Sequence, residues 1–503
     1  MTAVLTTLTS FGGFIGDGGN PVSGLIMDAN GDLFGTTFYG GASATGGYPY
    51  GTVFEIAKTA TGYSGHTILV SFDPTTGIGP FGSLVMDANG DLFGTTTGSF
   101  AGTSDHPEGT VFEIVNNATG YASTPTTIVS FNGTDGSTPF GNLLIDATGD
   151  LFGTTSSGGT NGVGTVFEIA NSTTPAAPAA SGYTPTTLTN FNLVDNQPHG
   201  GVIMDANGNL FGTTTVGGTY SGGTVYEIVK TPTGYASTPF ILASLDFNST
   251  PYSGLTMDAA GNLFGTTTHG GAYGFGSVFE VAKTATGYAS TQTILASFGN
   301  SDGAVPMGGL IIDAAGNLFG TTASGGTIGN GTVFEIAKNA GVPTTLVNFA
   351  GINPGTIGGV SYGNLIADAD GNLFGTTYYG GTNGQGTVFE ITGSGFVPAA
   401  TAVPDPGPTA GDLTTSANLG QTIDLTAAIM AKITPGLAGD TETLTTFGAT
   451  SAGGLVALIN GDLTYGAQAN GTLAHIPANG SVVDTFTYTV TDQLNNKELV
   501  QCQ

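Results

Sequence analysis

The sequence predicts an all-β chain: a seven-bladed β-propeller closed by its own N-terminal strand, followed by a small β-sandwich. Three observations carry that prediction. The phrase Asp-Ala-x-Gly-(Asp/Asn)-Leu-Phe-Gly-Thr-Thr starts at Asp28, Asp87, Asp146, Asp205, Asp258, Asp313 and Asp368. A second phrase, Gly-Thr-Val-Phe-Glu-Ile, follows each copy, starting at Gly51, Gly109, Gly164, Gly223, Gly276, Gly331 and Gly386, with Tyr226, Ser277 and Val281 as its small departures. An apolar run closes each unit, and its first copy, Thr6–Phe11, precedes the first unit, while none follows the last Gly386–Ile391. Internal repeats of this length mark propellers, solenoids or arrays.

Each unit reads as four short strands. In the first these are Gly24–Asp28, Asp32–Thr37, Gly51–Ile56 and Thr67–Phe72. Asp-Ala-Asn-Gly between runs one and two is a tight turn, with Gly supplying the positive φ and Asp the cap. Four strands with apolar residues on both faces describe a blade packed between two neighbours. The displaced copy Thr6–Phe11 then belongs to blade seven as its outermost strand, which leaves no unpaired edge where the ring closes. An open solenoid is the rival architecture and does not explain the displacement.

The boundaries follow from these patterns: a propeller over 1–392, a Gly/Pro/Ala linker over 393–408, and a β-sandwich over 409–503. In the last part Asp484–Asp492 alternates strictly, placing Phe486, Tyr488 and Val490 on one face.

Composition agrees and excludes several functions. Charged residues are only 8% of the chain, apolar residues 39%, and Gly numbers 87. Gly, Thr and β-branched residues disfavour helix interiors. With six Lys, no Arg and a net charge of −29, the chain lacks the clustered cations that phosphate backbones require, so no nucleic-acid partner is expected. No apolar run of about 18 residues occurs, so no membrane insertion is expected. Met1–Leu5 has neither a basic nor an apolar stretch of the kind an export signal uses. The single cysteine, Cys502, excludes an intrachain disulfide framework.

The two phrases resemble the tandem repeats of the Gloeobacter–Verrucomicrobia class, found in large bacterial surface or secreted proteins, over residues 1–392. That resemblance implies an extracellular or cell-surface protein and lends no activity. Asp484–Asp492, with Gly461–Tyr465, is similar to the cadherin-like, immunoglobulin-like domains of bacterial adhesins. There it implies calcium, for which Asp440 and Glu442 are the candidate ligands.

A residue repeated seven times is most economically structural. This covers the turn aspartates and the glutamates Glu55, Glu113, Glu168, Glu227, Glu280, Glu335 and Glu390, expected to accept hydrogen bonds from an adjacent strand. A single site should lie where the repeat breaks its own rule. The loop between strands two and three has eight residues in blades three to seven, but 13 in blade one (38–50) and 12 in blade two (97–108). Extra loop length on a rigid scaffold is a usual place for function. The long loops bring Tyr39, Tyr48 and Tyr50, then Phe100, Asp105, His106 and Glu108. His269 lies in the corresponding loop of blade five.

The residue just before each innermost strand also varies: Val22, Phe81, Phe140, His199, Tyr252, Met307 and Tyr362. This ring is expected to line one mouth of the central channel. Its aromatic faces suit sugar stacking, and the same side chains would equally serve as a plug. No cofactor is expected; calcium is the one ion for which ligands are on offer, at Asp105 and Glu108 or at Asp440 and Glu442. There is no HExxH, nucleophile elbow or phosphate loop. The expected function is a non-catalytic surface scaffold of the adhesion type, binding carbohydrate, a matrix component or copies of itself. The alternative is a polysaccharide-active hydrolase or lyase with its site on the variable loop face.

Overall fold

The computed structural model describes residues 2–13, 16–42, 50–98, 105–171 and 183–398, and beyond these Leu425 and eight short strands between 409 and 502. Two compact units divide at Ala399 and Ala400. Among the described residues there is no helix, and so none long and apolar enough to cross a membrane.

The first unit is a seven-bladed propeller. In blade one the strand order is Ile26–Met27, Leu33–Thr37, Thr52–Ile56 and Thr67–Ser71, all antiparallel. Blades two to six repeat it. Blade seven takes its fourth strand from the N-terminus: Val4–Ser10 pairs antiparallel with Thr387–Thr392, Leu5 opposite Ile391. The first strand of each blade is shorter than its apolar run, only two residues. Blades one, two, four and five also carry a small hairpin between strands three and four, Lys58–Thr59 with Gly62–Tyr63 in blade one.

The repeated phrase has a role for each residue. In Leu33-Phe34-Gly35-Thr36-Thr37, Leu33 and Phe34 are buried on opposite sides of the blade. Phe34 joins a core with Leu84, Leu92 and Phe112 of blade two, and Leu33 one with Phe374 and Val388 of blade seven. Each fully buried side chain of this size contributes about 1.5–3 kcal/mol. Gly35 is required by close approach, since a Cβ there would lie 2.6 Å from the Phe54 ring. The second Thr of each blade pairs through its hydroxyl with Thr or Ser of strand three at 2.7–2.9 Å. In blades three to seven the first Thr reaches the next blade: Thr154 donates to Gly200 O, Thr213 to Ser253 O and Thr376 to Ser23 O, the last closing the ring.

Turn capping accounts for the repeated aspartates. Asp28 Oδ1 accepts from Asn30 N and Asp32 N, and Asp32 Oδ1 from Lys58 N. Gly31 follows at φ 87°, a conformation that glycine adopts without a Cβ penalty. The seven glutamates differ from expectation. No hydrogen bond reaches their carboxylates among the described residues; they stand half-buried in the grooves between blades.

The second unit, from Ala400, contains two three-stranded antiparallel sheets and a strand pair. Phe486–Thr491 is the central strand of one sheet, between Thr443–Phe447 and Lys497–Cys502. Asp440 and Glu442 lie outside the described residues.

Candidate functional site

The segments entering the innermost strands converge on the axis. Gly200 comes so close to Ser253 of the next blade that a Cβ would meet its backbone at 2.4 Å, and Gly363 stands the same way to Ser23. The axial cavity is therefore only about 60 Å³, room for about four or five waters. Around it lie Val22, Phe81, Phe140, His199, Tyr252, Met307 and Tyr362. The same face carries the loops between strands two and three, because the blade connections pair with them: Gly18–Gly19 with Tyr39–Gly40, and Ser137 with Ser157.

These rings touch one another. Tyr252 lies 4.4 Å from His199, His199 stacks on Phe140 at 5.5 Å, and Phe140 meets Phe81 edge-on at 4.9 Å. The file continues through Phe38, 6.1 Å from Phe81, to Tyr39 at 4.8 Å. Tyr39 is hydrogen-bonded to Tyr378, whose ring contacts Tyr362 at 5.4 Å and Tyr379 at 4.6 Å. The result is an aromatic rim around a nearly closed axis. Burial lowers the His199 pKa, favouring the neutral imidazole, with Nδ1 3.2 Å from Gln197 O. Burial raises the pKa of Tyr252, Tyr362 and Tyr378, so the rim presents neutral hydroxyls.

Sequence reasoning did not single out Phe38, Tyr378 and Tyr379. The signal was present: the residue after each Leu-Phe-Gly-Thr-Thr is Phe38 or Tyr378 in blades one and seven, but Thr97, Ser156, Thr215, Thr268 or Ala323 elsewhere. Other candidates are placed apart from the rim. Tyr50 packs on the core between blades one and two, and His269 is exposed, bonded to Thr268 and Thr250. Asp105 is exposed. Glu108 accepts from Ser137 Oγ, while His106 is held by Ser130 Oγ and Thr75 O. Tyr48 and Phe100 lie outside the described residues. Among the described residues no three His, Cys, Asp or Glu side chains gather as a metal site.

Among the described residues a hydroxyl–imidazole–carboxylate array stands at the seam where the ring closes. His66 Nδ1 is 2.7 Å from Thr9 Oγ1 and Nε2 is 2.6 Å from Asp17 Oδ1. Asp17 also accepts from Gly12 N and Gly18 N, and the imidazole packs 4.8 Å from Phe11. Burial pushes the Asp17 pKa up, but the hydrogen bonds from His66 and Gly18 outweigh it and hold the carboxyl below its ordinary value. With both carboxylate oxygens engaged, the array acts as a clasp on the N-terminal strand.

Fold and rim together define a closed propeller of tandem repeats with an aromatic mouth. The Gloeobacter/Verrucomicrobia repeat matches residues 101–238 and 231–403, and the chain belongs to that family. No curated protein matches it in sequence. Among solved structures it is similar to a candidate 6-phosphogluconolactonase from Bacteroides uniformis, at 14% identity and TM-score 0.41, covering 64% of this chain and 84% of that one. It is also similar to a carbohydrate-active enzyme of family AA12 from Trichoderma reesei, at 12% identity and TM-score 0.41, covering 78% of this chain and 96% of that one.

Proposed function

We propose that the protein is a non-catalytic scaffold of the cell surface or extracellular space that binds carbohydrate across the aromatic mouth of its propeller. The observation that carries this reading is the continuous file of rings from Tyr252 to Tyr362. Flat aromatic faces take the apolar face of a sugar ring, and neutral hydroxyls beside them take its hydroxyls. An axial cavity of about 60 Å³ admits no sugar, so the ligand lies over the mouth and not within the channel. Phe38 and Tyr39, at the start of the longer blade-one loop, belong to that surface.

The test is a glycan array and polysaccharide pull-down, with and without calcium, on the intact chain and on Tyr252→Ala and Tyr378→Ala, followed by a reducing-end assay. Binding without cleavage, weakened roughly tenfold or more by either substitution, is the expected result. Binding untouched by both substitutions, or release of reducing ends, overturns the reading.

A further inference from the structure

On the face opposite the aromatic mouth, the second-strand Phe of a blade meets the groove shared with the next blade, and in five grooves among the described residues a ring from that next blade covers it. Tyr121 packs 5.5 Å from Phe34, Tyr235 5.7 Å from Phe152, Tyr288 5.5 Å from Phe211 and Tyr63 5.5 Å from Phe374. Phe396 does the same for Phe319 at 5.1 Å. The tyrosines sit in Gly-Tyr turns of the small hairpins, with Lys283 Nζ 4.1 Å from the Tyr288 centroid and Lys230 4.0 Å from that of Tyr235. Blade six departs. Its connection, Lys338-Asn-Ala-Gly-Val-Pro343, is four residues shorter than the blade-five segment 283–292 and has no tyrosine. Among the described residues no ring packs on Phe264, which is 8% exposed against 0–1% for its six counterparts. A cavity of about 700 Å³ opens there, lined by Phe264, Asp258, Glu280, Asp313 and the retained Lys338.

We infer that this groove between blades five and six is a binding site for a tyrosine-bearing peptide turn supplied by another molecule, which completes the propeller as the chain's own hairpins do elsewhere. The complementarity is read from this chain. The sibling tyrosines meet a Phe edge-on, Tyr235 and Tyr288 lie under a lysine, and both stand beside the carboxylates of the preceding blade. Burial, then Glu227, Asp205 and Asp258, push the Tyr288 hydroxyl up to about 12, and Tyr235 is raised to about 12 in the same way. A neutral phenol suits that corner, whereas an anionic ring is repelled. The cavity is within the size range of specific ligand sites, roughly 300–1,000 Å³, and larger than one ring needs. That size fits a turn of several residues.

The probe is the peptide Lys-Thr-Ala-Thr-Gly-Tyr-Ala-Ser-Thr-Gln, the sequence of residues 283–292, titrated into the full chain by calorimetry. Its Tyr288→Ala form and p-cresol serve as separate arms. Tyrosine-dependent binding is expected, weakened roughly tenfold or more in the alanine peptide. Replacing Lys338–Pro343 of the protein by the 283–292 sequence should abolish that binding and raise the melting temperature. Binding of p-cresol alone would overturn the peptide assignment in favour of a small-phenol site. Absence of binding in all arms, or binding that survives the hairpin replacement, would overturn the site itself.

Discussion

The two grooves flanking blade five differ by one short connection. Between blades four and five, Tyr288 covers Phe211 and lies under Lys283; between blades five and six, Lys338 remains but the turn that would carry the ring is missing. The strands on both sides are nearly the same sequence, and the buried cores beneath are built alike. The blades are thus held by their strands and axial contacts, and the hairpin ring is an addition the fold survives without. The chain keeps Leu318 and Phe334 buried in the open groove, so its cost falls at the surface layer alone.

The largest effect that tests this contrast is removal of a ring where one is present. Tyr288→Ala should destabilise the propeller by about 2 kcal/mol, below the range for a fully buried aromatic because the ring is half exposed. Val342→Ala, in the blade-six connection, should stay within about 0.5 kcal/mol. Urea unfolding followed by tyrosine fluorescence measures both. Equal costs would mean that the hairpin ring contributes nothing specific to groove four/five.

Much of this was legible in the sequence because the repeat is its own alignment. Seven phrases with one displaced terminal run specify the blade number and the closure through Val4–Ser10, since no other pairing satisfies that strand's backbone groups. The rim residues were legible too, as the variable position at a fixed offset before each innermost strand. What escaped was lateral. That Tyr63 of blade one covers Phe374 of blade seven follows from blade tilt and hairpin reach, neither of which a repeat spells out. The pairs Gly62-Tyr63, Gly120-Tyr121, Gly234-Tyr235 and Gly287-Tyr288 stand in plain view. Their absence from blade six acquires meaning only once the ring is seen on the neighbour. The tight axis was hidden similarly, because nothing in the sequence marks the glycines at 200 and 363 as the points where two backbones meet.

A middle-sized effect separates blade-to-blade contacts that look identical in sequence. Thr376 Oγ1 donates to Ser23 O at 2.7 Å across the closing seam, whereas the equivalent Thr95 hydroxyl is buried without a partner. Thr376→Val should cost about 1 kcal/mol, the net worth of one such bond with its acceptor left buried. Thr95→Val replaces an unsatisfied hydroxyl by a methyl and should be neutral or stabilising. Thermal unfolding of the two variants reads the difference directly. A loss at Thr95 as large as that at Thr376 would show that the methyl's fit, and not the hydrogen bond, decides both.

The smallest effect is electrostatic and returns to the same two grooves. Burial raises the pKa of Glu227, and Lys283 on the covering hairpin pulls it back. Glu280, facing the open groove, is raised by burial and then by Asp258, with no lysine opposing them. A carboxyl with a raised folded pKa binds protons more tightly folded than unfolded, so its ionisation costs stability above that pKa. The cost disappears as pH falls through the folded value toward the ordinary 4.5. Glu280→Gln removes an ionised, unpaired group and should stabilise the protein at pH 7 by less than about 1 kcal/mol. Glu227→Gln also sacrifices the attraction to Lys283, so its gain should be smaller. Both gains should vanish near pH 4, where the wild-type carboxyls are themselves protonated. Melting temperatures of the three proteins between pH 4 and pH 8 test the sign. A Glu280→Gln advantage that persists unchanged in acid would come from packing, and the open groove would then owe nothing to its charge.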